Sequence, residues 1–414
     1  MGTIEGAPLP VALQLFQSMQ SVEGVWRRLE ADGSLTPYQR FDFLRAYLTA
    51  VPDERRAIAA VGFFAEQRPI ALLPLAITRR FGVVTARLIG AELGGSGCLI
   101  MGNGSEAHLS AALLRAAFDL VRREIGRLDL VNLKNLPPSW FERQNPLLVL
   151  PHWRASDDLY SLAIDDSTFA RRIRAKRRAN IERGRRRLNE LFGPIAIRRA
   201  TTPAELAAIH AAFLSQRGQR FARMGIDNVF AREEVVSFFL EASRQSFGTE
   251  RPALCFHALY AGEQIVATAC GTFCGSHYSM YINSTAPGPA AKYSLTAILM
   301  QELLRELVAC GVTSIDMGVG DFPYKLEWTD PVPLFDSVVG TSPLGHMLAP
   351  LVMAKGMVKR LVKRNDHLWS IVSQVRLARH RLHHFGERLW ERFGQRAASA
   401  IAWCSLFDHA VQVL

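Results

Sequence analysis

The chain has 414 residues, 49 % of them apolar, with 49 Lys and Arg against 38 Asp and Glu and a formal net charge of +11. That length accommodates two domains with a sizeable core, and the apolar fraction excludes a largely disordered chain. The basic balance favours anionic partners such as phosphates, nucleic acid or acidic lipid, and it does not bear on fold.

The opening "MGTIEGAPLPVALQLFQ" has no basic n-region and no clear cleavage site, so it reads poorly as a signal peptide. No window offers the roughly 18 uncharged apolar residues of a spanning helix. Six cysteines are scattered without C-x-x-C spacing. Cys270 and Cys274 fall on one predicted strand and read as small buried hydrophobes, not as zinc ligands or disulfide partners. A reduced, cytoplasmic, soluble chain without a metal site is expected.

In chain order, "AIAAVGFFAEQRPIALLPLAIT" predicts a hairpin and "VVTARLIG" a strand. "HLSAALLRAAFDLVRREIG" predicts a helix ending at Gly126, and "LDLVNL" the strand after it. Next comes "FARRIRAKRRANIERGRRRL", in which ten of the seventeen residues from Arg171 to Arg187 are basic. On a helical wheel Phe169, Ile173, Ile181, Gly184, Leu188 and Leu191 share one stripe, with Ser167 as N-cap and Gly193-Pro194 as the stop. Arg177 sits inside that stripe, so its guanidinium requires a carboxylate, a carbonyl or a bound anion. The remaining arginines read as a solvated face in preference to a nucleic-acid surface, because the aromatics that stack on bases are missing.

From Leu254 the plan repeats. "LCFHALYAGEQIVATACGTFC" predicts two strands turned at Gly262, and 277–283 a third. A Pro/Gly-rich loop leads to a helix from Leu295 to Ala309, stopped at Gly311; "TSIDMG" and "FDSVVG" are strands. Two similar α/β lobes follow: 1–164 and 165–345, with a basic helical tail at 346–414. Two places could carry chemistry. The start of the 295–309 helix presents free amides around Ser294, Leu295 and Thr296, with Lys292 beside them; an ordinary helix start capped by Ser294 is the plainer reading. The segment "SIDMGVGDFPYKLEW" crowds Asp316, Asp321, Tyr324, Lys325, Glu327 and Trp328 around Gly318 and Gly320 at a strand end.

This second segment resembles the signature of the GNAT-type acyltransferase family named after the cellulose-biosynthesis protein CelD. The family shows Asp-aromatic-Gly-x-Gly-Asp/Glu followed by Tyr-Lys; Asp316, Gly318, Gly320, Asp321, Tyr324 and Lys325 match it, with Met317 in the aromatic place. The basic helix resembles the one that begins the family's transferase domain. Trp26, Leu29, Thr36, Pro37, Tyr38 and Gln39 are similar to its N-terminal Trp-x-x-Leu and Thr-Pro-aromatic-Gln segments. Tandem GNAT-like lobes also resemble the FemABX transferases, whose matching motif ends in an aromatic-Lys pair. One departure concerns the long helix, which starts with Ser-Pro-Gly in the family and with Ser294-Leu295-Thr296 here.

The resemblance implies mixed central sheets flanked by helices and an acyl-CoA cosubstrate, with no tightly bound cofactor. The acceptor it implies is an amino or hydroxyl group of a sugar or cell-envelope precursor. A thioester would lie between the strands at 277–283 and 313–317. Tyr324 or Tyr281 would be the acid, Asp316 or Asp321 the base or its orienter, and Lys325 an anion binder. Lys292, Ser294, Leu295, Thr296 and Arg177 would hold the donor. The alternatives are a FemABX-type enzyme using aminoacyl-tRNA and a non-catalytic binding protein with a degenerate donor site.

Between Lys355 and Arg396 eleven Lys/Arg face three acids, interleaved with apolar residues at helical spacing. Packing on the lobes, or on a second subunit in a homodimer, is one expectation. Peripheral contact with an anionic membrane through 355–396, on its inner face, is the other.

Overall fold

The computed structural model describes residues 10–374, apart from 32–34, 54–55, 106–107, 225, 366 and 373. Thirteen strands of the described residues join one mixed sheet, twelve of them in line. These are β1 (Val11–Phe16), β2 (Arg56–Ala65), β3 (Arg68–Arg80), β4 (Val83–Leu88), β5 (Leu130–Leu136), β6 (His152–Ala163), β7 (Ile195–Arg199), β8 (Cys255–Ala261), β9 (Gln264–Cys274), β10 (His277–Thr285), β11 (Ser314–Val319) and β12 (Asp330–Gly340). Their order is β1-β2-β3-β4-β5-β12-β6-β11-β10-β9-β8-β7. The helices are α1 (Met19–Ala31), α2 (Phe41–Ala50), α3 (Ala111–Ile125), α4 (Thr168–Arg172), α5 (Ala175–Phe192), α6 (Pro203–Met224), α7 (Glu233–Arg244), α8 (Leu295–Ala309), α9 (Lys325–Trp328) and α10 (Pro343–Arg364).

The two halves share one plan. Four antiparallel strands lead through a helix, α3 or α8, to a fifth strand parallel to the fourth: β4 with β5, and β10 with β11. Crossing back through a helix is what a parallel pair requires. Each half then gives its last strand to the other. β6 pairs with β11 of the second half, while β12 pairs with β5 of the first and with β6. This exchange fuses two sheets into one.

Local sequence explains most boundaries. In α3, Leu114, Ala117, Phe118 and Val121 are buried at helical spacing; Ser110 Oγ accepts from Leu113 N at 3.2 Å, and left-handed Gly126 closes the helix. The predicted hairpins and the 295–309 helix appear as expected. Aromatic residues from both halves, among them Phe43 and Phe238 (5.2 Å between rings), interlock under α2 and α7.

The basic run departs from the single helix expected. It breaks at Ile173, which is extended, so α4 and α5 are separate. Arg178, expected among the solvated arginines, turns back to donate to the carbonyls of Ala170 and Ile173, which α4 leaves open. Ser167 makes no cap; Asp165 instead accepts from the Ser167 amide and hydroxyl. Leu191, read as part of the apolar stripe, is exposed, whereas Ile181, Gly184 and Leu188 are buried. A Cβ at Gly184 would lie 2.8 Å from the carbonyl oxygen of Tyr293, so α5 sits directly on the loop entering α8. Residues 375–396 of the predicted helical tail, like Cys404, lie outside the described residues.

Candidate active site

The parallel pair β10–β11 holds only from His277 with Ser314 to Ser279 with Asp316. Beyond that point both strands carry an irregularity. Cys270 faces Ile282 and Gly271 faces Met280, leaving Tyr281 as the extra residue on β10; on β11 the register to β6 shifts between Asp316 and Val319. A bulge twists its strand and releases main-chain groups from the ladder. Here the strands splay around a cavity of about 260 Å³, lined by Met280–Asn283, Met317–Val319, Tyr38, Phe322, Tyr324 and Lys325, and by Arg217 and Arg220 from α6. At the matching place in the first half, beside Leu88 and Lys134, only about 10 Å³ is open, because the loop around Gly90–Gly97 fills it.

Lys325 is buried at the splay, where Nζ donates to the carbonyls of Gly318 (3.0 Å) and Val319 (3.3 Å). Burial pushes its pKa down to about 8, against the opposing pull of Asp316, Asp157 and Asp321. Tyr324, next in the chain, has its hydroxyl pKa raised by burial, while Asn283, Arg220 and Arg217 act the other way. Tyr281 lines the same cavity, but its hydroxyl is spent on the Leu93 carbonyl (2.9 Å).

The two acids expected as the base or its orienter both spend their oxygens on groups other than a reacting proton donor. Asp316 is fully buried and outside the cavity lining; it accepts from Ser279 Oγ (2.7 Å), the Gly318 amide (2.7 Å) and His277 Nε2 (2.8 Å). Asp321 accepts from the Asp158 amide (3.2 Å) and Tyr160 hydroxyl (3.1 Å), which fastens its loop to β6.

Tyr38 enters this site from the first half. Its hydroxyl lies 2.5 Å from Ser279 Oγ, completing a hydrogen-bonded chain Tyr38–Ser279–Asp316–His277 from the cavity wall into the core. Trp26 and Gln39 hold it there: the Trp26 indole donates to the Gln39 carbonyl (2.9 Å), and the Gln39 amide donates to the Cys98 carbonyl (2.6 Å). The N-terminal Thr-Pro-Tyr-Gln segment is thus part of the second lobe's site. Two further donors belong to residues that line the cavity: Arg217 Nε is buried without a partner among the described residues, and Asn283, beside the Tyr324 hydroxyl, has its Nδ2 outside normal hydrogen-bond geometry. Arg217 has its pKa lowered to about 10 by burial and by Arg220. Sequence reasoning missed Tyr38, Ser279, Asn283, Arg217 and Arg220 as site residues. The signal for Tyr38 was present in its motif; the arginines look like ordinary surface charges of α6.

The donor-binding set lies at the start of α8. Ser294 is left-handed (φ 58°) and makes no side-chain cap, contrary to the plainer reading of this helix start. Its hydroxyl instead meets Arg177 Nη1 at 3.3 Å, while Arg177 Nε donates to Glu327 at 2.6 Å. The partner required of Arg177 is therefore a carboxylate, which joins α5, α8 and α9. Leu295 is buried, and Lys292 lies exposed over the Tyr293 ring. Because the pair is about a third exposed, Arg177→Ala should cost about 1 kcal/mol in urea unfolding, and Lys176→Ala less than about 0.5. Equal losses would show that the Arg177 pair does not join these helices.

Residues 175–326 match the family described as acetyltransferase (GNAT) domain. The fold is that of tandem GNAT lobes. The chain superimposes on the crystal structure of FemX with a TM-score of 0.56 at 9 % identity, covering 82 % of this chain and 99 % of that one. A conserved protein of unknown function from Bacteroides thetaiotaomicron VPI-5482 gives 0.50 at 10 % identity, over 80 % and 100 %. A tandem GNAT protein from the clavulanic acid biosynthesis pathway gives 0.42 at 14 % identity, over 81 % and 99 %. No curated protein sequence matches the chain. The narrower CelD likeness rests on the motif residues alone. No group of three or more His, Cys, Asp or Glu among the described residues could hold a metal ion.

Proposed function

We propose that the protein is an acyl-CoA-dependent N- or O-acyltransferase acting on an amino or hydroxyl group of a sugar or cell-envelope precursor. The observation that carries this reading is the cavity in the second-lobe splay, with Lys325 and Tyr324 on its wall. The donor's phosphates lie at the start of α8, near Thr296, Lys292 and Arg177, and its thioester reaches the splay. Lys325 is the general base. As a neutral amine it spends both N–H groups on the Gly318 and Val319 carbonyls and keeps a lone pair for the acceptor's proton. The acceptor nitrogen or oxygen then bonds to the thioester carbon, and Asn283 Nδ2 and Arg217 Nε supply hydrogen bonds to the developing oxyanion. The carbon–sulfur bond breaks, and Tyr324 protonates the departing thiolate. Asp316 acts at a distance, by holding Ser279 and through it Tyr38.

Coenzyme A at millimolar concentration is expected to raise the melting temperature of the wild type through linkage, and to have no effect on Thr296→Glu. A shift that survives in Thr296→Glu would move the phosphates away from α8; no shift with any CoA ester would refute the donor. The second reading is a FemABX-type transferase that uses aminoacyl-tRNA. The Tyr324–Lys325 pair and the exposed basic residues of α5, such as Lys176, Arg183 and Arg186, support it. Binding of aminoacyl-tRNA without any response to coenzyme A would favour it.

A further inference from the structure

Helix α10 lies across β6 and β12 with one face pinned and the other bare. Its inner side approaches the sheet at two glycines, since a Cβ at Gly345 would meet the Asp129 carbonyl and one at Gly356 the Trp153 ring. Arg360 donates to the Ala155 carbonyl (2.7 Å), Lys363 pairs with Asp157, and Arg364 pairs with Asp158 (2.8 Å). The opposite side carries Met347, Leu351, Met357, Val358 and Leu361, which are 49–68 % exposed. At 100° per residue these fall, with Ala354, on one continuous stripe that contains no charged side chain. Lys355 flanks it and Lys359 lies further round toward Asp157; neither forms an ion pair among the described residues, and residues 337–365 contain no acid.

We infer that the outward face of α10 is a docking surface for an anionic lipid bilayer. Acyl chains take up the apolar stripe, and lipid phosphates meet Lys355 and Lys359. Charge complementarity selects this occupant. A second copy would bring the same cationic edge to the interface, and residues 375–414 carry six arginines against three acids. No helix of the described residues is long and apolar enough to cross a membrane, so the contact is peripheral. α10 also ends at the loop bordering the cavity: Arg364 lies 3.4 Å from Asp321, next to the cavity residue Phe322. Docking along α10 therefore holds that loop near the bilayer, where a lipid-borne acceptor would be found. The inference does not depend on the identity of the donor.

The test is flotation of the full-length protein with vesicles of phosphatidylglycerol and phosphatidylcholine (1:1) or of phosphatidylcholine alone, at low and high salt. About ten-fold more protein should float with the anionic vesicles, and the excess should shrink at high salt. The double substitution Leu351→Glu/Val358→Glu, on exposed positions, should abolish flotation while leaving the melting temperature unchanged. Lys355→Glu/Lys359→Glu should do the same. Flotation that persists in Leu351→Glu/Val358→Glu would place the lipid contact elsewhere, for example on α5, and overturn the assignment. So would a wild type that ignores anionic vesicles, or one that is a dimer in solution and becomes a monomer on this substitution.

Discussion

Asp316→Ala is expected to lower the unfolding free energy by about 3–5 kcal/mol, among the largest losses available to a single polar residue in this fold. The carboxylate is 0 % exposed and collects three donors: Ser279 Oγ, the Gly318 amide and His277 Nε2. Alanine strands all three in a space that water does not reach, and a buried donor without an acceptor costs its full desolvation. It also frees the end of β11 at the point where β10 and β11 part, and it loosens Ser279 from Tyr38. Asp316→Asn keeps the shape and one acceptor oxygen, and should lose about 1–2 kcal/mol. Urea unfolding of the two variants checks this. Losses below 1 kcal/mol for the alanine variant would mean that the carboxylate is not what ties the splay together.

Asp316 also illustrates how much was legible in the sequence. Its place at a strand end before Gly318 and Gly320 was readable, because turn chemistry and alternation are local. For the same reason α8 was found to the residue, from apolar spacing and from Gly311. What the carboxylate touches was not readable. Ser279 and His277 sit on a strand buried on both faces, where alternation carries no signal. Tyr38 is 241 residues away from its partner Ser279. The exchange of β6 and β12 between the halves was invisible for a related reason: pairing over such distances depends on how the whole sheet closes.

The break at Ile173 shows a different limit. Arg177 apart, a helical stripe runs through Phe169, Ile173, Ile181 and Leu188, so periodicity alone joins α4 to α5. What separates them is a side chain, Arg178, competing for the carbonyls of Ala170 and Ile173. Arg217 was overlooked because α6 shows a low density of apolar residues around it. Its place on the cavity wall goes with its standing over the Phe221 and Phe230 rings at 4.7 and 5.3 Å, which turns a surface charge inward.

Lys325 carries the second large effect, and it should appear in two independent pH profiles. Its folded pKa is about 8, below the ordinary 10.5, because burial penalises the charged form. The native state therefore binds this proton more weakly than the unfolded chain, and stability rises with pH wherever the unfolded state holds more protons. Below pH 8 both states are charged, and the fold bears a cost of about 3 kcal/mol. That cost is relieved as the pH climbs from about 8 to 10.5. Lys325→Met keeps the length of the side chain and removes the charge, so the stability of the wild type relative to this variant should rise across that window. In catalysis, a base that is half-neutral near pH 8 gives kcat/KM rising through about 8 to a plateau. Lys325→Met should lose that limb and about 10²–10⁴ in rate, and Lys325→Arg should not restore it, since a guanidinium stays protonated. A profile that falls above pH 8 would instead show the ammonium acting as a cation, with the base elsewhere. A stability difference that is flat from pH 8 to 10 would show that burial does not depress this lysine at all.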